Sequence, residues 1–406
     1  MIDYPQTLEP IFTKLQEHNI RPIIVGGFVR DALLHQNSHD IDIELYNIAS
    51  LHEVESLLAP FGSLNSVGKS FGVVKLLYKG LDLDFSLPRQ DSKQASGHKG
   101  FVITIDNTLS FKEAARRRDF TMNAIGFDVK SKKILDPYRG KIDLHRRILR
   151  AVDLRTFGED PLRVLRVAVF ASRFECRVEA HLYKLCKKMV ALGILQELPK
   201  ERIFAEITKI FLRSNKPSIA LQLFEKMGAF TFFAELKTLT NDQKKTLYAA
   251  LDRAPKDLII RLALLCSFFT NNQTLSFLKR VTEDKKLTNT VIALTTQSFD
   301  LDNYSDYDLY KLATQCDLRS YINYLKALNP KKKASIEGLT MQIEQLGLFK
   351  APLKPLLGGK DLIKAGLKPS KAFQTILQEA YEKQMRGVLA TKEDALEWLQ
   401  RGFILS

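Results

Sequence analysis

Apolar positions recur at helical spacing through residues 7–19, which predicts an amphipathic helix. RPIIVGG (21–27) reads as a short buried strand running into two glycines, and FVRDALL (28–34) returns to helical spacing. IDIELY (41–46) and LDLDFS (81–86) alternate with a period of two, the mark of half-exposed strands, and GVVKLLY (72–78) is a further strand. This mixture persists to about residue 150. Beyond it, stretches of 3.6-residue spacing dominate, at 161–173, 179–192, 201–213 and 218–227, and strand signals almost vanish.

The pattern predicts an α+β head, a small mixed sheet with helices, followed by an all-α neck, body and tail. We place the head at 1–150, a helical neck at 151–230, a helical body at 231–335 and a helical tail at 336–406. NPKKKAS (329–335) and PLLGGK (355–360) read as linkers in the helical part.

Composition narrows the class. The chain has 406 residues, 45% hydrophobic and 26% charged, which argues against disorder and fibrous repeats. Cys176, Cys186, Cys266 and Cys316 form no C-x-x-C pair and read as reduced thiols. The opening MIDYPQTLEP has neither a basic n-region nor an apolar h-region, and no apolar run approaches the ~20 residues of a membrane span. A cytoplasmic protein with no membrane association is expected. The net charge of +15 is uneven: residues 1–60 hold three basic and nine acidic residues, leaving 58 basic and 37 acidic in 61–406, a net of +21. An acidic head on a basic body suits a metal site beside a polyanion-binding surface, although on charge alone a merely soluble basic protein is the better reading.

The candidate chemistry begins with VGGFVRDALL (25–34) and HDIDIEL (39–45). On a strand Asp40 and Asp42 project from one face, a spacing that lets two carboxylates share hard cations such as Mg²⁺. An amphipathic strand with a polar outer face has the same pattern. Gly26 and Gly27 lie between strand and helix, where missing side chains admit a ligand to the backbone, and Arg30 can add a cation for a triphosphate. Taken singly, a tight turn explains the glycines and a surface ion pair explains Arg30–Asp31. A phosphate-receptive turn ten or so residues before a carboxylate pair points instead to nucleotide chemistry. A third carboxylate is expected in LDLDFSLPR (81–89), where Asp84 is preferred to Asp82 although spacing does not separate them.

With RRRDFTMNAI (116–125), LDPYRGKIDLHRRILR (135–150) and FGEDPLRVLR (157–166), these motifs stand in the order of the class II tRNA nucleotidyltransferases and bacterial poly(A) polymerases. The chain most resembles the CCA-adding enzymes. The match runs through 25–173, continues weakly in ERIFAEITKIF (201–211), and reappears in 359–377 and 387–399. The resemblance implies that Asp40 and Asp42 are metal ligands for two Mg²⁺ ions, with Asp84 assisting. It makes Gly27, with Gly26 beside it, and Arg30 triphosphate contacts and Arg118 a nucleotide-binding residue. Asp119 would hold the ribose 2′-hydroxyl. Asp160, Arg163 and Arg166 would lie along one side of a helix and imitate a Watson–Crick edge, accepting CTP and ATP without a template. Asp160 is also a natural N-cap before Pro161, so both roles require its two oxygens to be divided. Many relatives carry an arginine three residues beyond Arg166, where this chain has Val169. QDSKQASGHKGF (90–101) resembles the flexible loop that helps such enzymes switch from C to A addition; a plain surface loop reads equally well.

The implied partner is tRNA, through its acceptor stem and 3′ end, with no obligatory protein partner. All seven histidines lie at or before His181, so a C-terminal metal-dependent phosphohydrolase domain has no ligands here, and no Cys/His zinc pattern occurs. CC-only or A-only addition, poly(A) synthesis, and a non-catalytic RNA-binding protein remain the alternatives. GKSFGVVKL (68–76) favours the CCA-adding pattern over the poly(A) one.

Overall fold

A computed structural model describes residues 2–48, 50–65, 72–93 and 101–403. The chain divides into two compact units, 1–237 and 238–406.

In the first unit the order is α1 (Glu9–Glu17), β1 (Arg21–Val25), α2 (Gly27–Leu33), β2 (Asp40–Tyr46), α3 (Leu51–Leu58), β3 (Leu64–Asn65), β4 (Val73–Tyr78), β5 (Leu81–Ser86), β6 (Arg89–Lys93) and β7 (Phe101–Ile105). There follow α4 (Phe111–Ala115), β8 (Gly126–Asp128), β9 (Lys133–Leu135), α5 (Gly140–His145), β10 (Ile148–Leu149), α6 (Leu154–Phe157), α7 (Leu162–Phe174) and β11 (Arg177–Val178). Helices α8 (Ala180–Ala191), α9 (Lys200–Arg213), α10 (Ser218–Met227) and α11 (Ala234–Lys237) complete it.

A seven-stranded sheet in the order β3-β4-β5-β2-β1-β8-β9 forms the head. Strands β2 and β5 run parallel and place Asp42 opposite Asp84 and Asp40 opposite Asp82, while β1 pairs with β2 antiparallel. The alternation seen in the sequence has a physical cause. Ile41, Ile43 and Leu45 enter a core built with Phe12 and Leu15 of α1, Phe28 and Val29 of α2, and Val54 and Leu58 of α3. Each such burial contributes roughly 1.5–3 kcal/mol, so a one-residue slip of β2 is costly. On the opposite face Ile23, Val25 and Tyr46 pack under Phe111, Ala114 and Ala115 of α4. That cover is incomplete: Asp40 and Asp42 stay open while Glu44 is sealed. The half-exposed reading of β2 thus holds only at its start.

Residues 90–93 and 101 are strand backbone in a β6–β7 hairpin rather than plain loop, and 94–100, which hold most of the proposed C-to-A loop, lie outside the described residues. The same is true of 66–71, most of the distinguishing part of GKSFGVVKL. Helix α7 packs on α9 and α10, giving the neck its own helical core.

The second unit is helical: α12 (Asn241–Arg253), α13 (Leu258–Leu265), α14 (Asn271–Val281), α15 (Lys285–Thr295), α16 (Asp306–Gln315), α17 (Leu318–Leu328), α18 (Lys333–Gln345), α19 (Gly359–Lys364), α20 (Ala372–Met385) and α21 (Lys392–Phe403). Capping boxes begin α12 (Thr240 with Gln243), α14 (Thr270 with Gln273) and α16 (Ser305 with Asp308). The expected linker 329–335 is instead a 3-10 turn leading directly into α18, because Lys331 to Ala334 are good helix formers after Pro330. Gly358 caps α19 and Gly359 begins it. Among the described residues no helix is long and apolar enough to cross a membrane.

Candidate active site

Strand β1 delivers Gly26 and Gly27 to the edge of a cavity of about 490 Å³ in the first unit. Its lining includes nine of the eleven residues singled out in the sequence: Gly26, Gly27, Arg30, Asp42, Arg118, Asp119, Asp160, Arg163 and Arg166. The other two, Asp40 and Asp84, line an adjoining cavity of about 750 Å³ over the open face of the sheet, with Asp42 common to both. The carboxylate floor and the arginine-rich chamber therefore meet at Asp42.

Gly26 has φ +71°, and a Cβ there would stand 3.0 Å from Nη1 of Arg118 and 3.4 Å from Oδ2 of Asp42. Only glycine lets the turn pass that close beneath both groups. No side chain caps α2, whose first turn opens at Gly26.

Asp42 is reached by solvent from the cavity but is ringed by protein. That desolvation pushes its carboxyl above the ordinary value; Arg118 opposes the shift, and the nearby Asp84 and Asp40 add to it. Asp84 is bonded to Nζ of Lys75 through both oxygens, at 3.0 and 2.8 Å, across the β4–β5 ladder. Among the described residues no three His, Cys, Asp or Glu side chains assemble as a ready metal cage. Asp40 and Asp42 are the open carboxylates; Asp82 is exposed on the same face as Asp84, and Lys75 engages only the latter.

Arg30 proves to be buried, at 4% exposure, and its pairing with Asp31 is an interior one rather than a surface ion pair. Its Nε and Nη2 lie 2.8 and 2.7 Å from Oδ1 of Asp31, and Nη1 donates to Oδ1 of Asn123 at 2.6 Å. The guanidinium stacks on Phe174 and Phe170 at 4.8 and 5.3 Å. Burial lowers its pKa, against the pull of Asp31. Arg173 of α7 donates to the other oxygen of Asp31 at 3.0 Å.

Asp119 is a hub. Its Oδ1 accepts from the Phe120 amide and from Asn123 Nδ2, both at 2.8 Å, and its Oδ2 accepts from Nε and Nη2 of Arg166 at 2.7 and 2.6 Å. A carboxylate offers about four acceptor positions, and these four donors take them all. A ribose hydroxyl would reach Asp119 only by displacing one.

Asp160 divides its oxygens as its two suggested roles require. Oδ1 accepts from the Leu162 amide at 3.0 Å, capping α7, and Oδ2 accepts no hydrogen bond among the described residues. Arg163 spends two of its five N–H donors on the carbonyls of Thr156 and Arg117, at 2.9 and 2.7 Å. Arg166 lies over Phe170 at 5.2 Å. Val169 borders the chamber without adding a charge.

Several participants escaped the sequence reading. Asn123, inside RRRDFTMNAI, joins Arg30 to Asp119. Arg173 falls one heptad beyond Arg166 on α7 and secures Asp31. From α9, Arg202, Lys209 and Arg213 add cations to the wall at spacings of seven and four. Glu44, completing the i, i+2, i+4 row with Asp40 and Asp42, faces Arg117 and Arg118 at 3.7 Å each.

Residues 23–150 match the family described as the poly A polymerase head domain, and residues 177–239 one described as the probable RNA and SrmB-binding site of polymerase A. The Multifunctional CCA protein of Xylella fastidiosa (strain 9a5c) is 32% identical over 266 residues, 61% of this chain and 62% of that one. That of Haemophilus ducreyi is 34% identical over 229 residues, 55% and 53% of the two chains. The match thus spans about three-fifths or less of the length of these relatives. A crystal structure of the Bacillus stearothermophilus CCA-adding enzyme in complex with CTP superposes with a TM-score of 0.77 over 98% of both chains, at 22% identity. A tRNA-processing enzyme in apo form superposes at 0.68 over 95% of this chain and 99% of that one, at 23% identity.

Fold and site together make residues 23–150 a head of the poly A polymerase kind, the family whose description they match. Its motifs, the relatives it matches and its fold are all similar to those of CCA-adding enzymes.

Proposed function

We propose that this protein adds CMP and AMP from CTP and ATP to the 3′ end of tRNA, without a nucleic-acid template and with release of pyrophosphate. The observation that carries the reading is the single chamber in which an open carboxylate, Asp42, meets Arg118 at the Gly26 turn and the unspent oxygen of Asp160. Relatives named for CCA addition support the choice of reaction.

Asp40 and Asp42 fit divalent cations, being hard oxygen donors that face the cavity with no cation bonded to them among the described residues. Asp40 and Asp42 would hold two Mg²⁺ ions, and the chemistry these would supply is Lewis acidity toward the RNA 3′-hydroxyl and charge compensation for departing pyrophosphate. Asp84 assists once its carboxylate is released from Lys75. Arg118, against the Gly26 turn, binds the triphosphate, and Arg30 keeps that turn in place from beneath. The free oxygen of Asp160 accepts an exocyclic amine, present in both cytosine and adenine, while the remaining donors of Arg163 serve ring acceptors. Arg166, aligned by Asp119, closes the chamber beside them.

The test offers CTP and ATP, separately and together, to tRNAs lacking one, two or three of the 3′-terminal nucleotides. Sequential C, C and A addition that then stops is expected. Addition of C alone, of A alone, or of long A tails to any RNA would replace the reading with one of its narrower neighbours. No pyrophosphate release from any substrate would end it.

A further inference from the structure

Glu44 is fully buried, at 0% exposure, on the strand face that carries Asp40 and Asp42, yet no step of the proposed reaction uses it. Its Oε1 accepts no hydrogen bond and lies 3.7 Å from Nη2 of Arg117. Its Oε2 lies 3.7 Å from Nη2 of Arg118 and accepts a long hydrogen bond of 3.4 Å from the hydroxyl of Tyr46. A sealed carboxylate with so few hydrogen bonds is costly, and the two guanidiniums are what make it tolerable. The dependence runs the other way too. Arg117 and Arg118 are adjacent cations at the C-terminal end of α4, and Glu44 is the anion behind both. The anion in front of Arg118 is Asp42, whose carboxyl lies beneath the same Gly26 turn that Arg118 touches.

We infer that Glu44 is a positioning residue: it draws Arg118 back against the strand, which keeps that guanidinium aimed at a nucleotide triphosphate and prevents its collapse onto Asp42. The inference rests on the proposed reading of the site and extends it to a residue to which the motifs assign no role. With a neutral group at 44, Arg118 loses the anion behind it while the open carboxylate of Asp42 stays in front. Arg118 then pairs with Asp42, and the triphosphate loses its guanidinium while the carboxylate becomes harder for a cation to reach.

The experiment is equilibrium binding of CTP and ATP to the full chain with Mg²⁺ and no RNA, by calorimetry, for wild type, Glu44→Gln, Arg118→Ala and the double variant. Glu44→Gln should weaken both nucleotides about tenfold, the size of a strong contact coupling. In the Arg118→Ala background the same change should cost nothing further, because Glu44 acts through that guanidinium. In steady state the KM for nucleotide should rise while kcat at saturation stays within about twofold, a split that a general loss of folding does not give. If Glu44→Gln fails to fold, Glu44→Asp keeps the charge with a shorter reach, and its smaller loss must likewise vanish without Arg118. Unchanged affinity in Glu44→Gln, or an undiminished penalty in the Arg118→Ala background, overturns the inference and leaves the functional reading intact. A wild-type protein that binds neither nucleotide overturns the functional reading itself, and the inference with it.

Discussion

Asp42 and Asp119 are both carboxylates bordering one chamber, and their surroundings give them opposite tasks. Among the described residues Asp42 is bonded to no cation, and desolvation and its carboxylate neighbours hold it above its ordinary pKa, a state that a bound divalent cation would relieve. Asp42→Asn should therefore reduce incorporation by roughly a thousandfold or more, the scale of losing a metal's charge stabilisation, while thermal unfolding shifts little. Retained incorporation would remove Asp42 from the metal-binding role. Asp119 is saturated. Burial alone would raise its pKa, but the charge of Arg166 and the hydrogen bonds from Asn123 and Arg166 outweigh it and hold the carboxyl below the ordinary range. A depressed carboxyl favours the folded state above its unfolded pKa of about 4, and that contribution is lost as pH falls from there through the folded value. Asp119→Asn should cost about 2 kcal/mol at neutral pH, less than a fully buried pair because Arg166 keeps 29% side-chain exposure. Its acid-unfolding profile below about pH 4 should be flatter than that of wild type. Equal acid sensitivity in the two proteins would mean that the pair does not contribute to folding.

At the scale of elements, the Gly26 turn joins β1 to α2 with no room to spare. Gly26→Ala places a methyl group at a φ that costs an L-residue about 1–2 kcal/mol and pushes it into the Arg118 guanidinium. The expected result is a raised KM for nucleotide together with a modest loss of thermal stability; a change in stability alone would separate the turn from nucleotide binding. This turn was legible in the sequence because strand, glycines and helix are contiguous. So were β2 and β5, whose alternation reflects one face in a core, and α7 to α10, whose apolar stripes are long enough to carry a period. Short elements such as β8, three residues and buried throughout, hold no period to detect. The 329–335 segment misled because charge and one proline suggest a linker, whereas lysines and alanine sustain a helix once proline has begun it. At the site, the motif residues could be found but not their bonds. Asp119 meets Arg166 across 47 positions and Arg173 meets Asp31 across 142, distances over which a chain's local pattern carries no information. Glu44 shares the alternation of Asp40 and Asp42, and only the cover supplied by α4 makes it an interior charge.

Across the whole molecule, charge is divided unevenly. The first sixty residues carry the carboxylates proposed to bind metal and a net of −6, while the remaining 346 carry +21. The first sixty residues, being acidic, add no attraction for a polyanion, so affinity for a large RNA is expected from the basic remainder. Binding that neutralises Z phosphates weakens with a log–log salt slope of about −0.9Z for a duplex and −0.7Z for a single strand. Six to ten such contacts lose about 10³–10⁵ in affinity between roughly 50 and 200 mM salt. A full-length tRNA should show a slope in that range. A short single strand with the same 3′ sequence fits only the arginine-lined chamber, engages fewer phosphates, and should give a slope several units shallower. At saturating tRNA the rate of nucleotide addition should change far less than the tRNA KM, because the salt acts on docking and not on the Asp40–Asp42 centre. Equal slopes for the two RNAs would place all recognition in the chamber and leave the excess of 21 positive charges without a role in binding tRNA.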